Sequence, residues 1–593
     1  MMSLKDILSP FYVWKSAFEK PYTATNPIED RPGSLRYRGF HQNDMEKCIG
    51  CGSCEKICQN AAIDMVTVKG IETTKEDSGL RPSIDYGRCC WCGLCVDICT
   101  TDSLQMSNEY IWIDTDPENY RFVPGVDKKS WDKNEKGYNR SQGYQLLHAQ
   151  RIEMGMLQAS DSVQSFVEIV KGYSKQKAIE EAQRCVECGL CVASCPAHMD
   201  IPQYIKAIRE DDLKKALQLL YETNPMPSTC GRICTHRCED VCSIGVKGEP
   251  IAIRWLKRYI IDQIPNEKMK EILNEQFTEN DKKVAIIGAG PGGLSAAYYL
   301  RSAGYKVTIY ESKEKAGGMI RYGVPEYRMP YDKLDKDIDY IKNLGVEIVN
   351  GKQVGKDIKF EELDSQFDAI FFSTGLNIPY KMEIPGENNE RVISGLYFLD
   401  EVSKGNRPEL GKKVAVIGGG NVAIDAARTA RRLGAEVSII YRRREQDMPA
   451  DLEEIEEAKA ENVQLITKAI PVKIEEKNGN LLFTWNKAEL KNVKDGGRPK
   501  PVPIKGDLES IKVDTLVSAI GQGADYSFLP KKIADMLEYK HYKVKINKYG
   551  QTSIPKLFAG GDIVNKTADA ISAIADGHRA AKGIDLYLSR EKF

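Results

Sequence analysis

Cys185-Val-Glu-Cys188-Gly-Leu-Cys191-Val-Ala-Ser-Cys195-Pro196, followed by Cys230, Cys234, Cys238 and Cys242 at even spacing, decides how the rest of the chain is read. Thiolates this closely spaced turn several soft ligands toward one point, which is what an iron–sulfur cluster requires. Outward from this stretch, two further runs of the same kind precede it and two glycine-rich nucleotide fingerprints follow it. It therefore stands at the junction of two redox modules.

The chain has 593 residues, too many for one hydrophobic core. A net charge of −1 excludes a broad electrostatic footprint for nucleic acid. No apolar run reaches the roughly 18 residues of a membrane span, so no membrane insertion is expected. Pro10 and scattered charges spoil Met1 to Lys20 as a signal peptide, and a cytoplasmic protein is expected. All 17 cysteines lie before Ser243 in tight groups, a polarity foreign to a disulfide scaffold. Zinc is the stronger rival, but it usually takes two separated cysteine pairs, and four regular cysteines in one short run suit a cluster better.

Residues 1–40 form an arm without periodicity, where Pro21, Pro27, Pro32 and Gly33 argue against a long helix. Then come Cys48-x2-Cys51-x2-Cys54-x3-Cys58 and Cys89-x2-Cys92-x2-Cys95-x3-Cys99. This duplication is the two-cluster ferredoxin pattern, in which the fourth cysteine of each run ligates the other cluster. The expected sets are Cys48, Cys51, Cys54 with Cys99, and Cys89, Cys92, Cys95 with Cys58. Gln59 and Thr100 stand where proline usually follows, so the chain leaves each cluster differently here. Cys90 is surplus and is expected to be a buried structural thiol.

Arg36-Tyr37-Arg38-Gly39-Phe40, Glu46-Lys47-Cys48 and the long insert before Cys89 resemble the ferredoxin-type subunit of respiratory complex I. That resemblance implies two [4Fe-4S] clusters in a wire; without the membrane contacts of that complex, only the wire role carries over. The polar and aromatic stretch 111–165 is expected to be a linker that wraps neighbouring surfaces. From about Ser174 a helical pattern (Ala178, Ile179, Ala182) runs into Cys185. Tyr204, Ile205, Ile208 and then Leu213, Ala216, Leu219, Leu220 predict two short amphipathic helices.

Around Asp281 the chemistry changes. The apolar run Lys283 to Ile287 leads to Gly288-x-Gly290-Pro291-Gly292-Gly293, a helical stretch from Leu294, and the strand Val307 to Glu311 ending in an acid. This is a full dinucleotide fingerprint, with the pyrophosphate at a helix N-terminus and the acid on ribose hydroxyls. It recurs as Lys413 to Ile417, Gly418-x-Gly420-Asn421-Val422-Ala423, a helix through Leu433 and the strand Val437 to Tyr441. The second strand ends in Arg442-Arg443-Arg444, and arginines there suit a 2′-phosphate. Glu311 thus suits FAD, whereas Arg442 and Arg443 suit NADPH; the bland alternative is a solvated charge run before the acidic helix Asp451 to Glu461. Thr374-Gly375 and Ile520-Gly521 end short apolar strands where the chain would cross between nested domains. Gly560-Gly561-Asp562, with a helix from Asp569 and Ala570 to Ala581, would set an acid and a helix N-terminus beside the flavin. Lys540 to Lys548 is expected to be a strand of that returning segment.

Residues 166–593 resemble the small subunit of NADPH-dependent glutamate synthase and the large subunit of NADH-dependent ferredoxin:NADP oxidoreductase. The motifs that carry the resemblance are Cys230-Gly-Arg-Ile-Cys234, Gly317-Gly318, Gly323-Val-Pro-Glu-Tyr-Arg-Met-Pro330, Ile384-Pro-Gly-Glu387, Tyr441-Arg-Arg443, Met448-Pro449 and Gly560-Gly-Asp562. It implies that Cys185, Cys188, Cys191 and Cys242 hold one cluster and that Cys195, Cys234 and Cys238 share the other. Family members often complete the second with a Glu or Gln; the matching position is Lys257, which cannot ligate, so Cys230 is expected to replace it. His236, between two cysteines, is expected to be a donor to the site or a surface residue, not a ligand.

The expected architecture is multidomain, α+β and α/β. An arm (1–40) precedes a two-[4Fe-4S] ferredoxin domain (41–110), a linker (111–165) and an all-helical Fe-S domain (166–278). Two nested Rossmann-like domains follow: a first FAD-binding segment (279–410), the NADPH-binding domain (411–525) and the returning FAD-binding segment (526–593). The resemblance implies a subunit that turns hydride transfer from NADP(H) into one-electron transfer through FAD and four [4Fe-4S] clusters, with no general base required. The expected partners are other redox subunits (a second flavoprotein or a hydrogenase-like subunit) and ferredoxin, in an electron-bifurcating transhydrogenase or hydrogenase-type complex. Alternatives are a glutamate synthase small subunit feeding an amidotransferase subunit, and a non-catalytic electron-wiring subunit.

Overall fold

The computed structural model describes residues 9–20, 23, 31–133, 137–493 and 497–589, so the expectation for the arm at Pro21 and Pro27 lies outside the described residues. The chain divides into two units. The first comprises Met1–Arg151, Val186–Cys191 and Asp240–Ile251, and the second comprises Ile152–Cys185, Val192–Glu239 and Ala252–Phe593.

In the first unit, β1 (His41–Asn43) pairs antiparallel with β4 (Leu104–Met106), and β3 (Leu80–Asp85) lies between β2 (Ile63–Thr67) and β5 (Arg121–Phe122). The short helices α1 (Ser53–Ile57) and α2 (Leu94–Asp97) each start after a left-handed glycine, Gly52 at φ 72° and Gly93 at φ 79°. These glycines reverse the chain directly after Cys51 and Cys92, a turn that a side chain would resist. The core is aromatic: Phe40 stacks on Trp131 at 4.5 Å and Tyr86 on Phe122 at 4.9 Å. Much of the stretch expected to be a linker is thus built into this core, with Phe122, Trp131 and Tyr138 buried. A single two-stranded pairing plus a few rings closes the small β-layer, and no regular periodicity marks such a contribution.

In the second unit, the helical part contains α3 (Lys175–Gln183), α4 (Ile201–Arg209), α5 (Leu213–Tyr221), α6 (Pro227–Ile233) and α7 (Ile253–Gln263). The amphipathic pair falls where the spacing predicts it, α4 burying Tyr204, Ile205 and Ile208. Helix α9 (Tyr331–Asn343) presents Asp337, whose carboxylate accepts the Ser228 and Thr229 amides at 3.1 and 2.8 Å and caps α6.

Two five-stranded parallel sheets follow. The first has the order β22 (Leu557–Ala559), β9 (Ala369–Phe372), β6 (Lys283–Ile287), β7 (Lys306–Tyr310), β8 (Glu347–Val349). The second has the order β11 (Val392–Ser394), β18 (Thr515–Ser518), β12 (Lys413–Ile417), β13 (Glu436–Ile440), β14 (Gln464–Ile466). Strand β22 returns after the whole second sheet to pair with β9, so the second sheet is inserted within the first domain. The strands β10 (Ile378–Pro379) and β19 (Gln522–Gly523) pair antiparallel where the chain crosses between them. An antiparallel meander of β15 (Ala469–Lys477), β16 (Asn480–Lys491) and β17 (Lys500–Val513) was not anticipated.

Lys540 to Lys548 is not one strand. Tyr539–Lys540 (β20) turns back on Lys543–Val544 (β21), with His541 and Tyr542 left-handed at φ 50° and 64°. Two consecutive left-handed residues are what a tight hairpin demands. Helix α8 (Pro291–Ser302) packs on α10 (Ala570–Leu588) through small residues; a Cβ on Gly577 would lie 2.2 Å from the Gly292 oxygen. Among the described residues no helix is long and apolar enough to cross a membrane.

Candidate functional site

Cys48, Cys51, Cys54 and Cys99 ring one small cavity in the first unit, closed by Ile49, Met65, Pro82 and Leu104. Cys89, Cys92 and Cys58 are the charged neighbours of Cys95. Burial, then crowding by Cys51, Cys95, Cys48 and Cys99, pushes Cys54 well above the ordinary thiol range, and burial with Cys90, Cys92 and Cys58 pushes Cys89 up to about 11. Thiols so placed give up their protons only to a bound cation, so the donor sets fit a cluster. Thr100, in place of the usual proline, sets its hydroxyl 3.8 Å from the Cys51 sulfur.

His41 was missed by sequence reasoning. Its backbone amide donates to the Tyr86 hydroxyl at 2.8 Å, its Nδ1 lies 3.0 Å from the same oxygen, and its Nε2 lies 3.2 Å from Cys95 Sγ. Burial lowers its pKa to about 4, so the ring is neutral. With the Tyr86 hydroxyl donating to Nδ1, the ring proton sits on Nε2, which donates to the sulfur. Cys90 corrects an expectation: it is exposed, because Trp91 turns left-handed at φ 53° and carries the loop outward.

Cys188, Cys191 and Cys242 belong to the first unit and Cys185 to the second. The Ser243 hydroxyl lies 3.3 Å from Cys188 Sγ, the Ile251 amide donates to Cys242 Sγ at 3.5 Å, and the Cys188 thiolate is felt at Cys51. In the second unit, Cys195, Cys230, Cys234 and Cys238 are buried together around Lys257. His236 is half-buried, 3.9 Å from Asp451 and 3.8 Å from Glu453.

One cleft of the second unit is walled by Gly288, Gly290, Pro291 and Gly292 at the start of α8, by Glu311, by Gly318, and by Thr374 and Gly375 after β9. Gly561, Asp562, Asp569 and Ala570 close it. Gly293 lies beneath, where a Cβ would meet the Gly288 oxygen at 1.9 Å; it lets helix and strand pack. Glu311 accepts the Ala289 and Lys313 amides, both at 2.8 Å, which fixes its carboxylate at the cleft edge. Thr374 Oγ1 and Asp562 Oδ1 are buried without a partner among the described residues, and burial raises Asp562 to about 6. Orphaned polar atoms in an apolar cleft at a helix N-terminus fit a flavin dinucleotide.

A second cleft is lined by Gly418, Gly420, Asn421, Val422, Arg442, Arg443 and Gly521. Ala423 is buried beneath it. A Cβ on Gly420 would meet only Pro449, at 3.8 Å, leaving the backbone open to a pyrophosphate. Arg444 turns away to Asp447 at 2.9 Å, while Arg498, which the sequence did not single out, joins Arg442 and Arg443. Burial, Arg443 and Arg498 all lower the Arg442 pKa. Arg443 Nε donates to the Pro499 oxygen at 2.7 Å.

Residues 282–577 match the pyridine nucleotide-disulphide oxidoreductase model, residues 162–269 the dihydropyrimidine dehydrogenase domain II 4Fe-4S cluster model, and residues 47–103 the 4Fe-4S dicluster domain model. The chain is 30% identical to the NADPH glutamate synthase small chain of Escherichia coli (strain K12), over 74% of its own length and 98% of that relative. The chain belongs to the glutamate synthase small-chain family of pyridine nucleotide-disulphide oxidoreductases. It is 40% identical, over 67% of its length, to the NADP(+)-dependent formate dehydrogenase subunit beta of Moorella thermoacetica, and spans 60% of that protein. It is 36% identical, over 68% of its length, to the NADPH-Fe(3+) oxidoreductase subunit beta of Geobacter sulfurreducens (strain DL-1 / KN400), and spans 64% of it.

As a member of this family the chain carries a pyridine nucleotide-dependent oxidoreductase domain and two 4Fe-4S cluster domains. One feature joins its flavin cleft to its cysteines. Ile233 and Thr235, which flank Cys234, line the flavin cleft. Asp569 caps α10 through the Ser572 amide at 2.8 Å, and its other oxygen accepts from Thr235 Oγ1 at 3.4 Å and from Arg237. Thr235 and Arg237 were missed because they carry no motif; their role comes from meeting a helix cap more than three hundred residues away.

Proposed function

We propose that this chain is the NADP(H)-linked FAD and iron–sulfur subunit of a multisubunit oxidoreductase, carrying four [4Fe-4S] clusters. When bound, NADPH gives a hydride to FAD and the clusters take the electrons singly. The chain's own residues bind, orient and keep dry. Arg442, Arg443 and Arg498 would hold a 2′-phosphate, Glu311 would hold the FAD ribose, and Thr374 and Asp562 would meet the flavin's polar groups. The observation that carries the reading is the flavin cleft wall itself: Thr235, bonded to Asp569 and next to Cys234, keeps the cysteine loop against the cleft.

Within the first unit, Cys188 is an electrostatic neighbour of Cys51, which supports reading the Cys48, Cys51, Cys54, Cys99 set as the inner one. The exposure of Trp91 and Cys92 supports reading the set of Cys89, Cys92, Cys95 and Cys58 as the outlet to a partner. The ferredoxin unit favours a low-potential redox partner, as in an electron-bifurcating transhydrogenase or hydrogenase-type complex or a formate dehydrogenase like that of the Moorella relative, over an amidotransferase. Mixing the anaerobic chain with NADPH should bleach the flavin absorbance, and much faster than NADH does; an unbleached flavin overturns the proposal. Co-purification from the native source should bring down a redox subunit, and an amidotransferase partner would overturn the choice of complex.

A further inference from the structure

Lys257 is 4% exposed, on α7, and makes no ion pair with a carboxylate among the described residues. Buried ammonium groups are rare unless paired, because desolvation costs several kcal/mol. The groups that face this one are the sulfurs of Cys234, Cys230, Cys195 and Cys238. Two helices bring Lys257 and Cys230 together. A Cβ on Gly231 would lie 2.9 Å from the Arg258 Cα, so α6 and α7 touch backbone to backbone one residue from Cys230 and one from Lys257.

We propose that the Lys257 ammonium sets the reduction potential of the cluster held by Cys195, Cys230, Cys234 and Cys238, raising it above what four thiolates alone would give. This rests on the reading of those four cysteines as a ligand set. Reduction adds one negative charge to the site, and a fixed positive charge in the same dry space favours that electron. The loop of this set lines the flavin cleft, so the residue would make this cluster the favoured first acceptor of a single electron from the flavin.

Potentiometric titration of the anaerobic full chain, followed by electron paramagnetic resonance, tests this in Lys257→Met and Lys257→Arg. Lys257→Met should lower one midpoint alone by at least a tenfold change in the reduced-to-oxidised ratio, about 59 mV for one electron. Lys257→Arg should stay near the parent, and both should keep the parent's iron. Unchanged midpoints in Lys257→Met, equal shifts in both variants, or loss of iron from Lys257→Met would overturn the tuning role. The ligand reading is tested separately: Cys230→Ala should lose about four iron atoms, and full iron in that variant would sink the ligand set whatever Lys257 does.

Discussion

Arg442, Arg443 and Arg498 gather three guanidinium groups on one cleft wall, and none of them forms an ion pair with a carboxylate among the described residues. Such an arrangement is costly until an anion arrives, and charge-assisted pairs to phosphate repay it. Arg442→Glu should weaken NADPH by roughly 100-fold and NADH by far less, since a bond to a charged group is worth about 1.5–3 kcal/mol before repulsion is added. Arg498→Ala should cost NADPH roughly tenfold on the same scale. Equilibrium binding of both nucleotides checks both variants; equal losses for NADPH and NADH would remove the 2′-phosphate assignment. The first two arginines are legible because they occupy the place where a Rossmann acid would sit. Arg444 is not, since Asp447 three residues later claims it, and Arg498 is not, since the β16–β17 connection delivers it from a meander with no fingerprint.

Cys230 rides on α6, whose N-terminus is capped by Asp337 and whose Gly231 touches α7. Gly231→Val would put a side chain within about 3 Å of the Arg258 backbone, and such overpacking costs about 1–3 kcal/mol. The variant should keep its flavin but lose about four iron atoms, which iron analysis and the flavin spectrum check together. The amphipathic helices α4 and α5 and both fingerprints were legible, because periodicity and glycine placement are local. The hairpin at His541–Tyr542 and the burial of Trp131 and Tyr138 were not: the first depends on two non-glycine left-handed residues, the second on a β-layer too small to close without distant rings. Exposed Cys90 failed for the same reason, its fate being set by the turn at Trp91.

At the scale of the whole molecule, the cysteine-rich stretch contributes cysteines to both units, with Cys188, Cys191 and Cys242 in one and Cys185, Cys195, Cys230, Cys234 and Cys238 in the other. This alternation is visible in the sequence only as spacing; the partition into units is a property of the fold. The full chain should contain about sixteen iron atoms if each site holds a [4Fe-4S] cluster. Cys54→Ala should leave NADPH-driven flavin bleaching at its parental rate while abolishing electron delivery to an external acceptor protein. Slowed bleaching would show that the inner ferredoxin set lies on the nucleotide side of the path instead.

Nucleotide, flavin and clusters are proposed to form one continuous electron path in this chain. The path is tested most directly by reducing the anaerobic protein with dithionite, removing the excess reductant and adding NADP+. The paramagnetic signals of the reduced clusters should decay while NADPH absorbance appears, with two electrons lost for each NADPH formed. Clusters that stay reduced in the presence of NADP+ would contradict a continuous path.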